Sequence, residues 1–188
     1  MIANPEELRE SIVPVLINTE CNRDLLGEQT HREWLDLTIA YRVIAKMDEE
    51  LGYASAVLTH EFQEELGLSD AELEELAREN SEKVLPAEIA QLADGLFIIT
   101  SDKVLFGAYN MTKKEVLQTV SDRMQDDLYL VAESIHEVMA IKASDVTKRE
   151  LKALLENGER KTRDDNEFLT DSVYFYDRET GNVSILDL

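Results

Sequence analysis

Ser134-Ile135-His136-Glu137 places a hydroxyl, an imidazole and a carboxylate within four residues. These are the groups used in nucleophilic and general acid–base chemistry. The segment joins two apolar runs, Leu128-Tyr129-Leu130-Val131 and Val138-Met139-Ala140-Ile141, that read as buried strands. In an extended chain Ser134 and His136 share one face and Glu137 takes the other. Alternate residues of a strand lie ~6.6 Å apart, so a direct serine–histidine pair needs a bend. A hydrolase also needs an orienting acid and an oxyanion hole, and the chain has no Gly-x-Ser-x-Gly elbow. The structural alternative has Ser134 capping a turn and His136 bonding backbone across the junction. No catalytic residue is assigned. A hydrolase using His136 with Ser134 or Glu137 stands as the enzymatic alternative.

Two further clusters hold polar groups. His60-Glu61-Phe62-Gln63-Glu64 approaches a metal-binding pattern, because His60 and Glu64 share a face if the segment is helical. One cysteine and three scattered histidines argue against a zinc site, and no metal is assigned. His31 and Arg32, with Asp36 just beyond, could contact a ligand, although solvent exposure accounts for Asp36. No phosphate-cradling glycine loop is present, so no nucleotide or other cofactor is expected. Tyr174 and Tyr176 share one strand face, which suits core or interface packing better than ligand stacking.

Charge narrows the partners. The formal net charge is −21 over 188 residues. Residues 1–94 hold 22 acids and 7 bases, and residues 95–188 hold 18 acids and 12 bases. Such a chain repels nucleic-acid backbones and anionic lipid, so direct nucleic-acid binding and membrane association are not expected. Glu72, Glu75, Glu79 and Glu82 fall on one stripe of a helix, at alternating three- and four-residue steps. Helix energetics explains part of it: Glu72 suits the N-terminus, Glu74 can pair with Arg78, and Glu79 with Lys83. The remainder is a solvated face, a surface for a basic protein, or an imitation of a phosphate backbone that inhibits a nucleic-acid-binding protein.

The elements that position these residues read as an α+β fold, with mostly antiparallel sheet built from hairpins and helices packed on it. Residues 5–13 are weakly helical up to Pro14. Leu35 to Ala45 alternates with period two and pairs with Tyr53–Leu58 across a break at Asp48-Glu49-Glu50. An acidic helical section covers residues 60–93, with a capping box at Ser69-Asp70-Ala71-Glu72 and a further short helix opened by Pro86. Leu96–Ile99, apolar on both faces, reads as a central strand paired with Val104-Leu105-Phe106. Capping boxes at Thr112–Glu115 and Thr147–Glu150 start two more helices, the second stopping at Gly158. A polar loop leads from Arg160 to Glu167. Val173–Tyr176, a turn at Glu179–Asn182 and a last strand to Leu186 close the chain. A single domain is expected, with a subdivision near residue 94. The apolar runs are only strand-length and no signal peptide opens the sequence, so a cytoplasmic protein is expected. Oligomeric state is not legible.

The chain also resembles an uncharacterised bacterial family, domain of unknown function 5688. Its members carry a Leu-Pro-Ser-Ser-Ile-His-Glu-Val segment where this chain has Val131 to Val138. Asn22, Leu25-Leu26, His31-Arg32 and Leu35-Asp36-Leu37 match an early motif, and Ala77, Asn80 and Pro86 a helical one. Thr100, Gly107-Ala108, Asp127-Leu128-Tyr129, Asp171, Val173-Tyr174 and Tyr176-Asp177 continue it in order. Thr30 stands where the family has proline, and Ala132-Glu133 replaces Pro-Ser. Members tend to begin further upstream, which implies a shortened N-terminus here. The resemblance implies an intracellular protein of unknown role and marks Ser134, His136 and Glu137. The reading that combines these observations is a non-enzymatic protein-binding or regulatory protein.

Overall fold

The computed structural model describes residues 4–46, 52–157 and 167–188. The expected break at Asp48–Glu50, the stop at Gly158 and most of the loop from Arg160 lie outside the described residues. The chain divides into two compact units, residues 1–86 and 87–188. All strand pairings in both are antiparallel, with helices packed on the sheets, so the fold is α+β.

The first unit is a four-stranded sheet. Helix α1 (Pro5–Glu10) leads into β1 (Ile12–Asn18), and a short α2 (Arg23–Leu26) precedes β2 (Arg32–Trp34), β3 (Leu37–Lys46) and β4 (Tyr53–Val57). β3 pairs with β1 along one edge, and with β2 and then β4 along the other. Being central, β3 is buried at Thr38, Ala40 and Ile44 as well as at Leu37, Ile39, Tyr41 and Val43. Pro14 does not interrupt β1. β1 lies at the sheet's edge, where a residue without an N–H is tolerated. Asp36 is not within the strand: Leu35, with φ 54°, turns the chain so that Leu35-Asp36 links Trp34 to its partner Leu37.

Helices α3 (His60–Glu65) and α4 (Asp70–Val84) cover this sheet. Leu73 and Ala77 pack with Ile12, Tyr41, Val43, Leu58 and Leu66. The Ser69 hydroxyl and Glu72 carboxylate form the expected reciprocal cap. Asn80, buried on the same helix face, donates to the carbonyls of Arg9 (2.7 Å) and Ile12 (2.9 Å), fixing where β1 begins.

The second unit is a six-stranded sheet, in the order β10-β9-β7-β8-β6-β5. Its members are β5 (Ala87–Ala93), β6 (Leu96–Ser101), β7 (Leu128–Val131), β8 (Val138–Lys142), β9 (Val173–Asp177) and β10 (Asn182–Ile185). β5 replaces the helix expected after Pro86. Its Ala, Glu, Gln and Leu favour helix, yet pairing Ile89 with Ile99 and Ala90 with Ile98 overrides that propensity. β6 is interior, as its apolar run requires.

Val104-Leu105-Phe106 is not a strand. Val104 (φ 52°) and Phe106 (φ 53°) are left-handed, and the chain enters a 3-10 helix, Gly107–Thr112. Thr112 donates to the Tyr109 carbonyl (2.8 Å) at the end of that turn, so it does not cap the next helix, α5 (Lys114–Met124). α5 buries Val116, Leu117, Val120 and Met124. Tyr176 donates to Gln118 of α5 (2.8 Å), which puts α5 on the face carrying Leu128 and Tyr176. The alternate residues Tyr129, Val131 and Val173 pack with Leu151 of α6 (Lys148–Asn157) on the other face. The Thr147–Glu150 box caps α6 as expected. Among the described residues no helix is long and apolar enough to cross a membrane.

Candidate functional site

The link between β7 and β8 is bent, and the Ser134 hydroxyl faces its own backbone. The Ser134 hydroxyl accepts the His136 N–H (3.2 Å) and so holds the bend at this point. Ile135 turns inward: its carbonyl accepts the Ala108 N–H (3.2 Å) and its N–H donates to the Glu167 carbonyl (2.9 Å). Ser134 also makes an isolated bridge to Phe168. The Thr100 hydroxyl at the end of β6 donates to the His136 carbonyl (2.9 Å). Asn110, buried in the 3-10 helix, donates to the Thr100 carbonyl (2.8 Å).

Gly107 explains how the 3-10 helix comes so near. A Cβ at this position would lie 2.5 Å from the His136 carbonyl oxygen and 2.5 Å from the Thr100 Cα. Both obstacles are backbone, so the close approach admits only glycine.

The imidazole is held on three sides. The Phe106 N–H donates to Nδ1 (3.2 Å), which makes Nδ1 the acceptor and assigns the ring proton to Nε2. Nε2 faces a Glu167 carboxylate oxygen at 3.5 Å. The Phe106 ring stacks on the imidazole, with centroids 5.7 Å apart and planes 26° apart. About one fifth of the His136 side chain, 22%, remains exposed. Glu137 is exposed. The acid at the histidine is therefore Glu167, and the Ser134 oxygen meets the backbone of His136 while the ring is bonded elsewhere.

The clusters at His31–Asp36 and His60–Glu64 and the acidic stripe belong to the chain's first unit, and the link to the second. Arg32 pairs with Glu74 of α4 at 2.8 Å, replacing the expected Glu74–Arg78 contact. His31 Nδ1 lies 2.9 Å from the Gln29 carbonyl oxygen, and Asp36, in its turn, accepts the Thr19 hydroxyl through its carbonyl. His60 joins a polar network rather than sitting alone at the start of α3. Its Nδ1 lies 3.3 Å from the Thr30 hydroxyl. Thr30 donates to the buried Gln63 (2.7 Å), and Gln63 donates to Asp70 (2.8 Å). Hydrogen bonds from Gln63 and then Thr30 hold the Asp70 carboxyl below its ordinary range. Thr30 is thus a hub tying the entry of β2 to the start of α4. On the acidic stripe, Glu72 is bonded to Ser69 while Glu75, Glu79 and Glu82 are exposed. Tyr174 and Tyr176 are fully buried.

Sequence reasoning missed Glu167, Phe106 and the role of Gly107. Gly107 and Thr100 were visible as members of the family pattern. Glu167 had no signal, because it lies 31 residues from His136 at the end of a polar loop.

Fold and link together define an α+β protein whose histidine-bearing segment is a junction between core strands, locked to a glycine turn. The chain belongs to a family of unknown function, DUF5688, whose model matches residues 1–96 and 91–178. No curated protein and no solved structure gives a significant match.

Proposed function

We propose that this protein acts by binding another protein rather than by catalysing a reaction. The observation that carries this reading is the internal engagement of the link. The Ser134 oxygen holds a bend, and the two ring nitrogens of His136 face the Phe106 amide and Glu167. A nucleophile–base pair needs hydroxyl and imidazole in mutual reach, and here each has another partner. The exposed charge supports a binding role. Glu75, Glu79 and Glu82 project from α4, whose buried face is fixed to the sheet, so they form a rigid acidic surface suited to a basic partner.

Affinity capture from the native host tests the proposal. The partner should be retained at low salt, released as salt screens the acidic surface, and lost when Glu75 and Glu79 are both changed to Lys. A partner held equally at high salt and by the Glu75→Lys/Glu79→Lys variant would remove the acidic surface from the account. Turnover of any substrate that is abolished by His136→Asn would overturn the binding reading itself.

A further inference from the structure

We propose that Ser101–Phe106 is a strained latch over His136, one that opens locally while the sheet beneath stays closed. Val104 and Phe106 both hold left-handed backbone, at φ 52° and 53°. L-residues rarely adopt that region, and a β-branched residue is an outlier there. Val104 gains little burial in return, since it is 60% exposed. The conformation is imposed by its surroundings. The Val104 N–H donates to the Ser101 carbonyl (2.9 Å), and the Ser101 hydroxyl bonds both the Leu105 carbonyl (2.8 Å) and the Leu105 N–H (3.0 Å). The far end is fastened by the Phe106 N–H on His136 Nδ1 and by the stacked rings.

Strain stored this way lowers the cost of opening. Each left-handed L-residue favours its release by roughly five- to thirty-fold. When Val104 and Phe106 relax to extended backbone, the Phe106 amide and ring withdraw from the imidazole. Opening then uncovers Nδ1 as a free acceptor, while Nε2 still faces Glu167, an edge suited to a hydrogen-bond-donating group. The segments that hold the link from its other side, through Thr100, Ala108 and Ile135, contain none of the strained residues and stay in place.

Amide hydrogen exchange on the full chain tests this. The Phe106 amide should exchange at least about tenfold faster than the Lys142 amide, which bonds the Gly95 carbonyl (2.9 Å) where the end of β8 meets the β5–β6 turn. Val104→Gly and Val104→Asn both tolerate positive φ, and Asn does so without glycine's added freedom. Each should slow Phe106 exchange roughly five- to thirty-fold and leave Lys142 unchanged. Equal protection of Phe106 and Lys142 in the wild type would overturn the proposal. So would Phe106 exchange that neither variant slows.

Discussion

At the scale of single residues, the link is defined by what has no side chain. Gly107 lets a 3-10 helix touch the backbone at His136 and Thr100, and the hydrogen bonds around it depend on that contact. Gly107→Ala should therefore destabilise the protein by roughly 1–3 kcal/mol through overpacking against atoms that cannot yield. Urea denaturation measures it; an unchanged midpoint would mean the contact is looser than described. The residues of the link were legible as a chemically capable group, whereas the spacing called for a bend at Ser134 only as the condition for a serine–histidine pair. The partners of His136 were not. Phe106 acts through its backbone N–H and its ring face, and Glu167 reaches the ring from a distant loop. Neither relation leaves a mark on local spacing.

At the scale of elements, three Ser/Thr-x-x-Glu patterns read as capping boxes, and two of them cap. Ser69→Ala should cost about 1 kcal/mol. Thr112→Ala should leave the start of α5 almost unaffected, because that hydroxyl bonds the carbonyl of Tyr109. Thermal or urea unfolding of the pair distinguishes them, and equal losses would contradict the assignment. The hydrogen bonds from the Ser69 hydroxyl and backbone hold the Glu72 carboxyl below its ordinary range. Its contribution is thus complete above the ordinary glutamate range and disappears as pH falls through the lower folded value. The penalty of Ser69→Ala should shrink over that acid interval. The same logic shows where sequence reasoning stopped. Local signals named the helices and hairpins correctly when each was self-contained, as for α4 and the β3–β4 pair. They failed for β5, whose helix-forming composition yields to pairing with β6, and for Val104–Phe106, whose strand-like pattern is broken by left-handed backbone.

At the scale of the whole molecule, a net charge of −21 works against compactness. Added salt should raise the urea midpoint, since the Debye length falls from ~10 Å at 0.1 M to ~3 Å at 1 M. A midpoint that falls with salt would mean that ion pairs such as Arg32–Glu74 and Arg178–Asp122 outweigh the repulsion. Each of the two compact units has its own sheet, but their strands differ in how far apart their partners lie along the chain. β6 is one such case: on one side it pairs with β5 across a short turn, and on the other Ile98 meets Met139, 41 residues later. Synthesis at ~5–20 residues per second would take roughly 2–8 s to deliver that second partner. For that interval a growing chain on the ribosome carries the apolar run Leu96–Ile99 with one edge bare, which makes the birth of this strand a moment at which a chaperone's protection from neighbouring chains matters.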